Sequence, residues 1–181
     1  MFTRSTAAAV LAAALVSAAA AASAQDAKSP DAAKQLAQLL DQQKLDSIAA
    51  ADKDHPGTYV AALYFPGAQL LVISAKYPTP QILDDKIAKK TYRDAYIELT
   101  AAADPASRLF VRDTLADGLV AKPGDSEPPD NVERAAGTVA FDGNWKKDKI
   151  TEEDYMKTFG DIDAQYTHAL QVLIDKVKSG A

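Results

Sequence analysis

Residues 59–75 contain two apolar runs, rich in valine, isoleucine, leucine and aromatic residues, and Pro66 and Gly67 separate them. Proline presets φ at the second position of a tight turn and glycine accepts a positive φ at the third, so this pair joins two strands in a hairpin. Apolar residues occupy both alternate sets of positions in each run, which is typical of a strand covered on both faces. We therefore predict a core hairpin inside the sheet, with the rest of the chain packed around it.

The first 24 residues have the pattern of a secretory signal peptide. Arg4 precedes an alanine, leucine and valine run over residues 7–16, and the small residues Ala22, Ser23 and Ala24 follow. A membrane anchor is the alternative, but alanine is only weakly apolar and the small-residue end fits a signal peptidase better. We predict cleavage after Ala24, which leaves residues 25–181 as a single domain that is periplasmic or secreted.

Composition narrows the classes of partner and chemistry. With 20 Lys+Arg against 25 Asp+Glu, the chain carries a formal charge of -5, which argues against a nucleic-acid partner because phosphate binding needs a basic field. The sequence has no cysteine, so it has neither disulfides nor a cysteine for lipid attachment. It also contains no Gly-x-Ser-x-Gly elbow and no phosphate-binding glycine loop. These absences favour a soluble binding protein over an enzyme.

The two histidines do not form a recognisable ligand pattern. His55 lies at a Pro-Gly turn and His168 lies beside the apolar stripe of the last predicted helix. Neither has a second histidine at the spacing that metal sites use, and the cysteine-containing zinc sets are excluded. We therefore interpret both histidines as structural or solvent-facing and predict no metal site.

Periodicity and turn signals give the remaining elements. Ser29 as N-cap and Pro30 after it begin a helix that continues to the turn at His55. A second helix is predicted over 79–90. Two strands, 91–101 and 108–113, are predicted to pair antiparallel around a turn at 104–107. An exposed loop over 122–135, a strand over 138–141 and a long helix from Thr151 to near Gly180 complete the prediction.

Tight turns join most of these strands, which disfavours a parallel, doubly wound sheet. We predict an α+β fold: one antiparallel sheet of about five strands, with N-terminal and long C-terminal helices packed on it.

One polar face of the strand pair is a candidate binding surface. Aromatic rings and guanidinium groups converge there and suit an anionic, planar ligand, and the single tryptophan lies either at the rim of a site or as a lid on the core. The simpler interpretation is that Glu98–Arg108 and Asp94–Arg112 are cross-strand ion pairs on a solvated sheet. The candidate ligand-binding residues are Tyr92, Tyr96, Arg108, Arg112 and Trp145.

The order of elements in the middle of the chain resembles two groups of proteins, the profilin-like ligand-sensing domains and the flavin-binding split barrels of the pyridoxamine-phosphate-oxidase type. No motif of either group is matched, and no functional residue is carried over. We predict a non-enzymatic exported protein that binds a small molecule or a periplasmic protein. The alternative is a split-barrel enzyme that binds flavin or haem, in which Arg108 and Arg112 contact a phosphate and the tyrosines stack on the cofactor.

Overall fold

The computed structural model describes residues 27–65, 70–76, 94–101 and 104–180, with side chains at 27–64 and 109–180. The helices in these ranges are α1 (Ser29–Gln43) and α2 (Glu152–Lys178). The strands are β1 (Ser47–Ala51), β2 (Tyr59–Phe65), β3 (Leu70–Lys76), β4 (Asp94–Ala101), β5 (Asp104–Thr114), β6 (Asn131–Arg134) and β7 (Gly137–Ala140). The α+β class is confirmed. The predicted second helix and the signal peptide lie outside the described residues.

The strands differ in number and pairing from the prediction. The strands whose side chains are described form two small antiparallel groups. One group contains β1 and β2, and the other contains β5, β6 and β7. β3 and β4 lie between these groups, so the strands follow one another across the sheet in chain order, from β1 to β7. β3 and β4 pair in parallel. A single antiparallel sheet of about five strands is therefore wrong. Residues 77–93 separate β3 from β4, and a parallel connection needs such a length.

The core hairpin is confirmed as the pairing of β2 with β3, from Tyr59 opposite Lys76 to Phe65 opposite Leu70. The face of β2 with Val60, Ala62 and Tyr64 is buried, at no more than 5% exposure. On its other face Ala61 is buried, but Tyr59 is 38% exposed. The expectation that both faces are covered therefore fails at Tyr59.

α1 ends earlier than predicted, because Lys44 takes a left-handed conformation with φ of 53°. The chain then forms β1 instead of continuing as a helix towards His55. Ile48 and Ala50 alternate with exposed residues and bury their side chains, and the strand gains a hydrogen-bonded partner in β2. The alternation of buried and exposed side chains and the hydrogen bonds to β2 thus outweigh the helix propensity of alanine.

The N-terminus of α1 is capped by a side chain from a distant element. Ser29 is the first helical residue and is not the N-cap, which is Lys28. The backbone N–H groups of Lys28 and Ser29 donate to the two carboxylate oxygens of Asp163 at 2.9 and 3.0 Å. A carboxylate at the positive end of the helix dipole is favourable, so this contact fixes α1 against α2.

α2 forms as predicted. Thr151 is its N-cap, and the Thr151 Oγ1 accepts a hydrogen bond from the backbone N–H of Asp154. The helix packs against α1, β1, β2 and β3, and its apolar stripe contributes more buried residues to the core than any other element that the structure describes. The buried stripe consists of Tyr155, Phe159, Ile162, Tyr166, Leu170, Leu173 and Val177.

The loop predicted over 122–135 is shorter in the structure. Residues 122–128 are mostly exposed and without helix or strand, as expected, but Asn131–Arg134 is β6, which pairs with β5 and forms a hairpin with β7. The predicted strand over 138–141 is present as β7. The turn predicted at 104–107 is wrong, since these residues belong to β5.

Candidate metal centre

The predicted ligand-binding residues are only partly within the described side chains. Tyr92 lies outside the described residues, and Tyr96 and Arg108 have a described backbone only. The register places Arg112 opposite Tyr96 and Asp94 opposite Thr114. Asp94 and Arg112 are therefore diagonal neighbours and not direct cross-strand partners. The proposed ligand site on this face, and with it the flavin or haem hypothesis, stays a prediction.

Trp145 belongs to the loop before α2. Its ring lies 6.0 Å from the ring of Tyr155, and its half-buried side chain packs against the hydrophobic core. This contact matches one of the two roles considered for Trp145, that of a lid on the core.

The structure brings both histidines of the chain to one aspartate. Asp52 directly follows β1, His55 lies in the turn between β1 and β2, and His168 lies on α2. Asp52 Oδ2 is 2.9 Å from His55 Nδ1 and 2.8 Å from His168 Nε2. The two imidazole rings meet edge to face, with centroids 5.0 Å apart. One nitrogen of each histidine and one carboxylate oxygen all lie within 4.8 Å of one another.

The turn after β1 holds Asp52 in place. Its backbone N–H donates to the carbonyl of Thr58 at 2.8 Å, and its Oδ1 accepts from the N–H of Asp54 at 3.0 Å. The N–H of Thr58 donates to the carbonyl of His55, and Gly57 supplies a φ of 87°. Because Oδ1 is engaged by the turn itself, Oδ2 is the oxygen that faces the imidazoles.

Exposure is graded across the three side chains. Asp52 is 4% exposed, His168 33% and His55 64%. Burial would raise the pKa of Asp52, but hydrogen bonds with His168 and His55, and the N–H of Asp54, outweigh it and hold the pKa below its ordinary value. Asp52 is therefore an anion, fixed by the fold, with two imidazoles on its water-accessible side.

These donor types suit a divalent transition metal. Imidazole nitrogen and carboxylate oxygen bind Zn²⁺ at about 2.0–2.2 Å, and the same set serves copper, iron and nickel. Around a tetrahedral ion such donors stand about 3.3 Å apart, so the present contacts need to open by about half an ångström. The ion would replace the two Asp52–imidazole contacts, with His55 Nδ1 and His168 Nε2 free of protons. Exposed His55 and its turn are the parts best able to move.

A groove of about 740 Å³ adjoins the site. It runs between β1 and the C-terminal half of α2, and Asp52 and His168 form part of its wall. The other wall residues include Ala49 and Ala51 of β1 and Val172, Asp175 and Lys176 of α2. A ligand in this groove would reach the side of the cluster that faces water.

A second group of ionisable residues lies in the interior. Asp113 is fully buried and accepts hydrogen bonds from the backbone N–H groups of Asp117 and Gly118 and from the hydroxyl of Tyr166. Burial, reinforced by the neighbouring charge of Asp130, raises the pKa of Asp113 well above its ordinary value. These donors fix the loop after β5, so we assign Asp113 a structural role.

Asp130 anchors the other end of the same loop. Its two carboxylate oxygens accept from the N–H groups of Thr114 and Val120 at 2.8 and 2.9 Å. Burial raises the pKa of Asp130 to about 7, although these two hydrogen bonds act in the opposite direction.

Sequence reasoning missed the metal-type cluster because its members are far apart in the chain. Asp52 and His168 are separated by 116 residues, and no local spacing connects them. The only local signal is the spacing of Asp52 and His55, which places both in one turn. The interpretation of each histidine as structural or solvent-facing considered it alone, whereas the fold makes them a pair.

Among the described residues, no helix is long and apolar enough to cross a bilayer. Comparisons with protein-family models, with curated proteins and with solved structures find no match for this chain.

Proposed function

We propose that this protein is an exported binding protein for a divalent transition-metal ion, held by Asp52, His55 and His168. The observation that carries the proposal is the position of Asp52 Oδ2, within 2.9 Å of a nitrogen from each histidine. The predicted signal peptide would take the chain to the periplasm, where it would bind the ion without performing chemistry on it.

The exposure of the three donors supports reversible binding. A structural zinc site is usually closed by four protein ligands, whereas three protein ligands leave a position for water or another ligand. Here the described part of the chain supplies three donors, and His55 is 64% exposed. An ion at this site would exchange with solution, as a carrier or buffer of metal requires.

Zinc binding to the tag-free protein tests the proposal. After treatment with a chelator and its removal, isothermal titration with ZnCl₂ at neutral pH should show one equivalent bound per chain. Cobalt should give the visible absorption of a low-symmetry site at the same stoichiometry. Because Asp52 is the shared ligand, D52N should weaken zinc binding by at least about 100-fold, and H168Q should have a similar effect.

D175N is the matched control. It removes the same charge from the same groove, but Asp175 is outside the three-residue cluster. Its zinc affinity should stay within about threefold of the wild type, since surface charges act weakly. If zinc fails to bind, or if D52N and D175N bind it equally well, the contacts of Asp52 are only ion pairs and the proposal is wrong.

A further inference from the structure

We propose that the metal-loaded groove binds an extended peptide, which adds to the edge of β1 as an extra strand and directs its C-terminal carboxylate to the metal ion. This inference rests on the proposed function, because the ion supplies the charge that receives the carboxylate.

The hydrogen-bond pattern shows which backbone groups face the open edge of β1. The N–H of Asp52 donates to Thr58, and the carbonyl of Asp46 accepts from Tyr64, so both residues direct their polar groups towards β2. In an antiparallel pair this direction alternates from residue to residue. Ser47, Ala49 and Ala51 therefore direct their N–H and C=O groups away from β2. Among the described strands, β1 is the first in the order and pairs only with β2.

Side-chain size keeps this edge accessible. Natural edge strands are commonly protected by lysine, proline or a bulge, which prevent pairing with another chain. β1 has the sequence SIAAA, with none of these devices within it. Ala49 and Ala51 are exposed and line the groove, so a backbone can approach β1 closely. Edge pairing of this kind is a recurrent mode of peptide recognition.

Charge favours a carboxylate at one end of that peptide. The groove wall contains three aspartates and two lysines, a formal charge of -1 that a bound divalent ion would change to +1. The ion would lie beside Asp52, immediately after the last residue of β1. A peptide strand that runs parallel to β1 would bring its C-terminal carboxylate to the ion. The open coordination position takes an oxygen ligand readily.

The test uses two libraries of random, N-acetylated heptapeptides, one with free C-terminal carboxylates and one with C-terminal amides. Tag-free protein first receives one equivalent of zinc, is biotinylated at its lysines under limiting reagent, and is used to select peptides that mass spectrometry then identifies. Selected peptides are measured by fluorescence polarisation with zinc and with EDTA. We expect enrichment from the carboxylate library only, and at least about tenfold weaker binding of the amidated version of a selected peptide or in EDTA.

A49P checks the edge pairing. Proline removes the Ala49 N–H that faces the open edge and leaves the pairing with β2 intact, and it should weaken peptide binding at least about tenfold. A49S keeps the N–H and nearly the same side-chain size, and it should bind peptide as the wild type does. Unchanged zinc affinity in A49P shows that the variant is folded.

The results of these experiments separate a failure of the peptide inference from a failure of the proposed metal site. If zinc binds but neither library is enriched, or if amidated peptides bind equally well, this inference is wrong and the metal site stands. If zinc produces a dimer in gel filtration that A49P abolishes, a second copy of the chain occupies the edge, and the peptide inference is also wrong. If zinc itself does not bind, the proposed function has failed.

Discussion

Asp52 and Asp113 both lie near the C-terminal end of a strand and are buried, yet their partners differ in kind. Asp52 faces two imidazoles, of which one is 64% exposed to water. Asp113 receives two backbone N–H groups and a tyrosine hydroxyl, and the hydrogen bonds from Gly118 and Tyr166 are buried. The pKa of Asp52 is lowered by its histidine contacts, whereas burial raises the pKa of Asp113.

The difference shows how a partner decides the role of a buried carboxylate. Backbone donors are neutral and cannot leave, so the carboxylate that binds them fixes a loop. Imidazole nitrogens are themselves metal ligands, so a carboxylate between two of them can share a cation with them. We therefore expect substitutions near Asp113 to act on stability and substitutions at Asp52 to act on metal binding.

The largest effect should come from Gly118, whose N–H donates to Asp113. A Cβ at this position would overlap the backbone of Pro30, and its φ is 98°. G118A should lower the free energy of unfolding by about 4 kcal/mol, from overlap and backbone strain together. G137A is the control, because Gly137 also has a positive φ of 124° but has nothing within 4 Å of its Cβ position. Urea unfolding should show a loss of only about 1–2 kcal/mol there, from backbone strain alone.

Removal of the Asp113 carboxylate should have the next largest effect. D113A leaves the N–H groups of Asp117 and Gly118 and the hydroxyl of Tyr166 without their acceptor, at a cost of about 3 kcal/mol. D113N keeps one oxygen and should lose less. Both variants should bind zinc with wild-type affinity, and a loss of zinc binding in a folded variant would contradict the separation of the two regions.

Zinc bound at the cluster of Asp52, His55 and His168 should stabilise the folded protein. With free zinc at 100 times the dissociation constant, the free energy of unfolding should rise by about 2.7 kcal/mol. D52N should abolish this gain, whereas D113N should retain it in full even though its starting stability is lower. Chemical unfolding with and without zinc measures this gain in the free energy of unfolding for the wild type, D52N and D113N. An equal gain in D52N would place the ion elsewhere.

The smallest effect concerns pH and Asp130. Its pKa is raised from 3.8 to about 7, so between these values the folded state holds a proton that the unfolded state releases. Protons then favour folding, and this contribution is present at low pH and is lost as pH rises towards 7, by up to about 1.4 kcal/mol per pH unit. D130N lacks the group, so its stability should fall less between pH 5 and pH 7 than that of the wild type. A difference of the opposite sign would contradict the burial of this carboxyl.

The elements that sequence reasoning found are those with a strong local pattern. α2 has a long stripe and a capping threonine, and the sequence of the core hairpin has two apolar runs separated by Pro66 and Gly67. β1 was missed because its three alanines suit a helix as well as a strand, and only its pairing with β2 decides between them. The parallel contact of β3 with β4 likewise depends on a long connection and has no local signature.

The two carboxylate regions differ in how far they could be predicted. Asp113 shares the face of β5 with Leu109 and Val111, so a period of two is enough to place it on the apolar face of the strand. The Asp52 cluster had no comparable signal, because the position of His168 beside Asp52 follows from the packing of α2 against β1. The site thus appears only when the tertiary structure is known.

The most direct test of the metal centre is a crystal structure of the zinc-loaded protein, with anomalous diffraction collected at energies just above and below the zinc absorption edge. The account predicts one strong difference peak, about 2.0–2.2 Å from a carboxylate oxygen of Asp52, from His55 Nδ1 and from His168 Nε2. A peak bound to other residues, or the absence of a peak while Asp52 keeps its contacts with both imidazoles, would contradict it.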